Sequence, residues 1–253
     1  MEEHIVKFHE RGQGRALIEL AKQYPPKDAI REFVTNGLDA RVPNTIEEIS
    51  VIADPISRRI IISDNGVGIP YDALIALPTN IGYSRKAGNI DMRGEKALGL
   101  LAFGSLGDVM HIISRPHLGK SSKYGYLRWE IDESKEKIPY FHEELDGRAV
   151  EDFYGNFPHG TRIIIDRVDP HIIEKVLTIP NLKGSLRTLY NPALRKGILR
   201  IRLGRLDKKG KNPRIELIET INYERDSSTE LIDDMISIKI KNEEAPGNLE
   251  VLL

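Results

Sequence analysis

The chain has 253 residues, of which 40% are hydrophobic and 30% are charged, a balance typical of a globular protein. Its 37 basic and 38 acidic side chains leave a formal net charge of −1, which excludes a general electrostatic attraction to nucleic acid or to anionic lipid. The absence of cysteine excludes disulfides and thiolate metal sites, and no stretch approaches the roughly 20 apolar residues of a membrane-spanning helix, so we expect a soluble, cytoplasmic protein.

Two helices are predicted near the start of the chain, over residues 14–24 and 27–41, and the breaker Pro25-Pro26 separates them. Apolar side chains recur in the second helix at spacings of three and four residues, the period of one buried helix face. These side chains are Ala29, Ile30, Phe33, Val34 and Leu38. A second stripe on the same helix carries Glu32, Asn36 and Asp39.

The pair formed by Glu32 and Asn36 has two interpretations. The residues lie four apart, so a carboxylate that activates water and an amide oxygen that binds Mg²⁺ can project together from one helix. Polar pairs at this spacing are also common on ordinary solvated helix faces. From this pair alone, the solvated face is the better interpretation.

A hairpin is predicted next, with strands over residues 48–53 and 59–63, and its second strand stops at Asp64-Asn65-Gly66. Asp64 could accept a hydrogen bond from the exocyclic amine of adenine, a contact that guanine cannot reproduce. Gly66 and Gly68 lack side chains and would let another molecule approach the backbone. Asp-Asn-Gly is equally good chemistry for a tight turn, so both interpretations stay open.

Residues 78–94 carry glycines among polar and basic side chains, which favours a long lid-like loop leading into a helix over residues 95–103. Gly94 and Gly99 lie at the start of that helix, where free N–H groups and the helix dipole attract phosphate. Lys86 and Lys96 would add positive charge. The Gly-Lys-Ser/Thr ending of P-loop NTPases is absent, and a lone glycine-bearing helix start is usually just a turn.

Strands over residues 109–114, 124–131 and 162–166 predict a mixed or antiparallel sheet. Gly160-Thr161 opens the last of these strands, where the Thr161 hydroxyl could support Asp64 through water, although threonine is more often simply a good strand former. After Pro170 we predict helices over residues 171–176 and 182–190 and a strand over residues 198–203. A small second module is therefore expected there.

In this order the segments resemble the GHKL superfamily, which comprises gyrase B, the ninety-kilodalton heat-shock chaperone, histidine kinases and MutL, and which shares the Bergerat nucleotide-binding fold. The resemblance covers about residues 10–170 through four boxes, at 32–40, 64–69, 94–99 and 160–161. It implies an α+β fold, a two-layer α/β sandwich with a mixed, largely antiparallel sheet. The implied division is an ATP-binding domain over residues 1–170 and a C-terminal extension or transducer-like module over residues 171–253.

The resemblance also implies a role for each matching residue. Glu32 would be the general base and Asn36 the Mg²⁺ ligand, while Asp64 would bind adenine with support from Thr161. The other implied ATP-binding residues are Asp39, Gly66, Gly68, Lys86, Gly94, Lys96 and Gly99, beneath a lid over residues 78–94. One departure is Ala97, which stands where the third box usually has glycine, so its methyl group would crowd a close backbone contact with phosphate.

The acid at Glu32 favours hydrolysis over kinase activity, because the kinases of this superfamily commonly have asparagine there. The chain looks closest to the MutL, topoisomerase VI B-subunit, microrchidia or chaperone-like branches, in which ATP and Mg²⁺ would close the lid and drive homodimerisation of a molecular clamp acting on a protein client or DNA. The alternatives are a nucleotide-sensing interaction module with little turnover, a DNA-associated topoisomerase or mismatch-repair-type ATPase subunit, and a structural protein with a degenerate pocket. The wealth of Ile, Lys, Arg and Glu resembles archaeal or other thermophile proteins.

Overall fold

The computed structural model describes residues 4–5, 13–78, 99–118, 122–135, 137–155, 157–207 and 214–221. Within these ranges nine strands form one sheet. They are β1 (His4–Ile5), β2 (Glu47–Asp54), β3 (Arg59–Ser63), β4 (Val109–Arg115), β5 (Tyr124–Glu130), β6 (Pro139–Leu145), β7 (Gly160–Asp166), β8 (Leu199–Arg205) and β9 (Arg214–Leu217). Their spatial order is β1-β6-β5-β4-β7-β3-β2-β8-β9.

The pairing of the strands confirms the predicted mixed, largely antiparallel sheet. Neighbouring strands run antiparallel everywhere except at β2 and β8, which run parallel. A parallel pair needs a long crossover connection, and here that connection includes a helix. The α+β class expected from the sequence is therefore confirmed.

Five α-helices lie among the described residues. They are α1 (Gln13–Gln23), α2 (Pro26–Asp39), α3 (Tyr71–Ile75), α4 (Gly147–Tyr154) and α5 (Ile179–Arg195). The first two confirm the helices predicted at the start of the chain, and α5 is a longer version of the one predicted over residues 182–190. The segment predicted as a helix over residues 171–176 is a single π-helical turn, Ile172–Val176.

The main hydrophobic core lies between α2 and one face of the sheet. Ile49 and Val51 of β2 point inward and are 1% and 3% exposed, whereas Ser50 between them is half-buried. Ile30 and Phe33 of α2 pack in the same cluster. Such alternation is the signature of an antiparallel sheet with one face on the core, and each side chain of this size stabilises the fold by about 1.5–3 kcal/mol when fully buried.

Residues after position 170 contribute to the same sheet and core. Tyr190 of α5 donates its hydroxyl to the carbonyl oxygen of Arg31 at 2.8 Å and lies 2.6 Å from the Thr35 hydroxyl. β8 then pairs along β2 from Glu47 to Ala53. By its contacts the chain divides into two compact units, Met1–Thr220 and Ile221–Leu253, and Ile221 alone is described in the second. The division at residue 170 stays a prediction.

The helix predicted over residues 95–103 is described only from Gly99 onward. A 3-10 helix runs there from Leu100 to Ser105, and residues 95–98 lie outside the described ranges. Among the residues that the structure does describe, no helix is long and apolar enough to cross a membrane.

Candidate nucleotide-binding site

Glu32 and Asn36 both lie half-buried on α2, whose opposite face holds the core residues. The Glu32 carboxylate packs directly on Gly99. A Cβ atom added at Gly99 would lie only 2.2 Å from Glu32 Oε1 and 2.5 Å from its Cδ. The structure thus brings together the first predicted box and the end of the third, which are far apart in the sequence.

Asp64 follows β3 and is held through one of its two carboxylate oxygens. Oδ1 accepts the N–H of Gly66 and the N–H of Thr161, both at 3.0 Å. Within the described part of the chain no hydrogen bond reaches Oδ2, which leaves this oxygen to accept a hydrogen bond from a ligand. Burial raises the pKa of Asp64, and the two N–H groups and the nearby His159 oppose that rise.

Thr161 supports Asp64 with its backbone, whereas its hydroxyl has a different partner. The N–H of Asp64 donates to the Thr161 carbonyl oxygen at 2.9 Å, and the N–H of Thr161 donates to the Asp64 carboxylate. The Thr161 hydroxyl lies 3.0 Å from that of Ser114, which is fully buried. Ser114 also accepts the N–H of Ile69 at 2.7 Å and donates to the carbonyl of Gly160 at 3.0 Å. This network fixes both ends of the loop that begins at Asp64.

Two glycines let this loop lie against neighbouring backbone. A Cβ at Gly66 would be 2.6 Å from the carbonyl oxygen of Ala40, and one at Gly68 would be 2.1 Å from that of Arg115. Gly68 also has a φ of +69°, a conformation that other residues rarely adopt. Both glycines are therefore required by the packing of the loop itself.

Gly37 connects this loop with the helix that carries Glu32. A Cβ at Gly37 would lie 3.3 Å from the Asp64 Cβ and 2.9 Å from the Ile49 side chain, so α2 approaches the loop closely at this point. Gly37 follows Asn36 directly. The loop that carries Asp64 therefore lies against the same helix that carries Glu32 and Asn36.

Residues 24–161 match the sequence model of the family described as histidine kinase-, DNA gyrase B-, and HSP90-like ATPase. That match covers more than half of the chain. The chain belongs to this ATPase family. No individual curated protein matches the chain closely enough to add a nearer relative.

Membership of this ATPase family implies that the domain binds ATP. The matched range includes Glu32 and Asn36, the half-buried pair on α2, and also Asp64 and Thr161. Asp39 lies exposed at the last residue of α2. The remaining predicted residues, Lys86, Gly94 and Lys96, lie outside the described residues, as do Ala97 and nearly all of the predicted lid.

The residues present in this ATPase domain fit Mg²⁺ bound mainly by a nucleotide. Among the described residues no group of three or more histidine or acidic side chains could hold a metal ion unaided. Mg²⁺ commonly takes only one or two protein oxygens and completes its shell with phosphates and water. The Asn36 amide oxygen, one turn of helix from Glu32, can supply such a ligand.

Glu47 is a further acid at this site that sequence reasoning missed. It is the first residue of β2, it is 0% exposed, and its Oε1 accepts the N–H of Asn65 at 3.2 Å. Burial, and then the charge of Asp64, raise the pKa of Glu47 to about 7. The alternation of Ile49, Val51 and Ala53 could have revealed it, because Glu47 stands two residues before Ile49 and so points to the same inward face.

Proposed function

We propose that this ATPase-family chain binds ATP together with Mg²⁺ and hydrolyses it, with Glu32 as the general base. The observation that carries the proposal is the packing of the Glu32 carboxylate on Gly99, on the same helix whose Gly37 lies against Asp64. The helix α2 thus carries Glu32, an acid suited to activating water, and packs against Asp64, an acid suited to recognising adenine.

Asp64 would select adenine through its Oδ2 atom. The exocyclic amine of adenine donates a hydrogen bond, which an ionised carboxylate oxygen accepts. Guanine has a carbonyl oxygen at the corresponding position, so its acceptor would face the acceptor of Asp64. The backbone bonds from Gly66 and Thr161 keep Oδ1 occupied and so leave Oδ2 as the recognising atom.

Glu32 would take one proton from the attacking water. The water oxygen forms a bond to the terminal phosphorus, the bond from that phosphorus to the bridging oxygen breaks, and ADP leaves with the electron pair. Asn36 would hold the metal, which when bound neutralises charge on the phosphates. The spacing of one helical turn between the two side chains keeps base and metal ligand in a fixed relation.

Replacing Glu32 by alanine tests the base. We expect kcat for phosphate release to fall by about 10²–10⁴-fold, the range for a positioned general base, while calorimetry shows nearly unchanged ATP affinity. Glu19→Ala is the matched control, because Glu19 is an exposed acid on α1 whose ion-pair partner among the described residues is the exposed Arg15. Wild-type turnover in the Glu32→Ala variant would contradict the assignment, and ATP binding without turnover in the wild type would favour the nucleotide-sensing alternative.

Asp64→Asn tests adenine recognition with little change of shape. The amide oxygen can still accept the N–H groups of Gly66 and Thr161, but an NH₂ group replaces Oδ2 and faces the adenine amine, donor against donor. An unsatisfied pair of this kind costs about 1–3 kcal/mol, so we expect ATP to bind about 5- to 150-fold more weakly. Unchanged affinity in a folded variant would show that adenine does not contact Asp64.

The clamp cycle belongs to the same proposal. ATP would close the lid predicted over residues 78–94, two chains would associate, and hydrolysis would separate them. The resemblance to the MutL, chaperone and topoisomerase branches supports this cycle. Light scattering should then show a dimer with a non-hydrolysable ATP analogue and a monomer with ADP. In the Glu32→Ala variant ATP itself should hold the dimer, and a monomer under all these conditions would refute the clamp.

A further inference from the structure

Glu47 is a buried carboxyl with one unused oxygen. Its side chain is 0% exposed, and Oε2 has no hydrogen-bond partner among the described residues. Its own N–H donates to the carbonyl of Ile198 at 2.9 Å, so the backbone is fixed by the connection into β8. An ionised carboxylate in such a place is costly, whereas a protonated carboxyl group loses far less on burial.

The charges around Glu47 favour the protonated form. Asp64 faces it from the end of β3, and the two acids repel when both are ionised. Arg41, just after α2, is the cation that faces Glu47, but its guanidinium already donates to the carbonyl of Thr45 at 2.9 Å. His159, just before β7, faces Asp64, and its Nδ1 donates to the carbonyl oxygen of Gly66 at 3.0 Å. From β8, the neighbour of Glu47 in the ladder is the uncharged Leu199.

Glu47 also holds the loop that presents Asp64. Its Oε1 accepts the N–H of Asn65, the residue between Asp64 and Gly66. The Asn65 side chain completes the attachment, because its Oδ1 accepts the N–H of Glu48 at 2.7 Å and its Nδ2 donates to the carbonyl of Ile46 at 3.2 Å. These hydrogen bonds hold the loop at Asn65 against the start of β2, and the position of the Asp64 carboxylate depends on them.

We propose that Glu47 is a positioning residue of the adenine subsite that is protonated in the ATP-bound state, so that Asp64 alone carries the negative charge facing adenine. This inference rests on the proposed function, because Asp64 must be the group that accepts the adenine amine. When Glu47 releases its proton to solvent, its charge opposes that of Asp64 across the Asn65 N–H and disturbs the loop. ATP binding should then weaken as the pH rises.

The size of the effect follows from the fraction of protein in which Glu47 is protonated. With a pKa of about 7, roughly half of the molecules are protonated at pH 7 and about one in eleven at pH 8. If only the protonated form binds, the apparent Kd is the intrinsic Kd divided by that fraction. The expected loss of affinity between pH 6 and pH 8 is therefore at most about ten-fold.

The experiment compares the wild type with Glu47→Gln by calorimetry with Mg-ATP at pH 6, 7 and 8. Glutamine keeps the oxygen that accepts the Asn65 N–H and cannot ionise, and the titration of the nucleotide cancels in the ratio of the two Kd values. We expect equal affinities at pH 6 and binding by Glu47→Gln that is several-fold, up to about ten-fold, tighter at pH 8. A ratio that does not change with pH would overturn the proposal, since a purely structural role gives a constant ratio.

Glu48→Gln is the matched control. Glu48 is the next residue on β2, but its side chain lies on the opposite face and pairs with Arg200 and Arg202. Its ratio to the wild type should not change with pH. If it changed as much as the ratio of Glu47→Gln, a general charge effect would replace the assigned role.

A second measurement keeps the test open if Glu47→Gln does not fold. Calorimetry of the wild type at pH 8 in two buffers of different ionisation enthalpy counts the protons taken up on binding, and we expect an uptake approaching one proton. No uptake would overturn the role of Glu47. A wild-type protein that binds no ATP at any pH would instead refute the proposed function, and this inference with it.

Discussion

Gly99→Ala should displace the proposed base without disturbing the backbone. Gly99 has φ −59° and ψ −32°, which alanine adopts readily, so the added methyl group acts only through contact. It would lie 2.2 Å from Glu32 Oε1, whereas ordinary contacts begin at 3.4 Å, so the carboxylate must move by more than about 1 Å. A displacement of about 1 Å in a catalytic arrangement can cost about 10²-fold in rate, or about 2.7 kcal/mol of barrier.

The assay is steady-state phosphate release set beside calorimetric ATP affinity. We expect kcat to fall about 100-fold and the Kd for ATP to change only a few-fold, because adenine is recognised at Asp64. Gly184→Ala is the matched control, since a Cβ added at this exposed helical glycine would meet no described atom within 4 Å beyond its chain neighbours and its own helix backbone. Unchanged turnover in Gly99→Ala would refute the placement of the base, and an equal loss of binding would assign Gly99 to the phosphates instead.

Four further outcomes are expected. Gly184→Ala should raise the free energy of unfolding by roughly 0.5–1 kcal/mol in urea titration, because alanine has the higher helix propensity, and a loss would contradict the open environment of α5. Ser114→Ala should lower the free energy of unfolding by about 1–3 kcal/mol, because the buried Ser114 hydroxyl forms hydrogen bonds with Ile69, Gly160 and Thr161. An unchanged free energy of unfolding would show that water replaces the hydroxyl. Burial and then the charge of Asp64 raise the pKa of Glu47 from 4.5 to about 7, so the unfolded state loses this proton at a lower pH than the folded state. The free energy of unfolding should therefore fall by about 2–3 kcal/mol as the pH rises from 4.5 to 7. Glu47→Gln should remove this pH dependence. Burial alone would raise the pKa of Asp166, but hydrogen bonds from His111 and Arg59 outweigh it and hold the pKa at about 2. About 1–2 kcal/mol of stability present above pH 3.8 should therefore be lost as the pH falls towards 2. The same slope in Asp166→Asn would contradict this cause.

The elements of the site that rest on local patterns could be predicted from the sequence. The spacing of Ile30, Phe33 and Val34 predicts α2 and its buried face, and Pro25 marks where it starts. The apolar run that ends at Asp64 predicts β3 and the loop after it. Periodicity and turn chemistry act over a few residues, so they identify each segment well.

What could not be predicted is which atoms meet. The contact between Glu32 and Gly99 and the approach of Gly37 to Asp64 depend on how α2 packs across the sheet, which no local pattern records. The sequence predicts that the Thr161 hydroxyl supports Asp64 through water, and no local pattern indicates the contact that this hydroxyl makes with Ser114. Such partners are set by tertiary packing rather than by residue preference.

Some elements were missed because their sequences are locally ambiguous. β6 begins with Pro139 and carries the polar residues His142, Glu143 and Glu144 in its second half, and most of its side chains are only half-buried. Proline is tolerated at the first residue of a strand, so this start was permissible but not diagnostic. The start of α4, in contrast, is indicated in the sequence by Asp146, a preferred N-cap residue, which accepts the N–H of Ala149 at 2.8 Å.

The parallel pairing of β2 with β8 decides where this protein can be cut. A fragment that stops at residue 170 keeps β2 but removes β8, so the peptide groups along one side of β2 lose their partners and face water. The inward side chains Leu199, Ile201 and Leu203, all at most 2% exposed, disappear with it and uncover the core beneath. An open, apolar strand edge recruits other chains, so the shorter fragment should aggregate. A soluble piece suited to enzymology has to extend at least to Leu217, the last residue of β9.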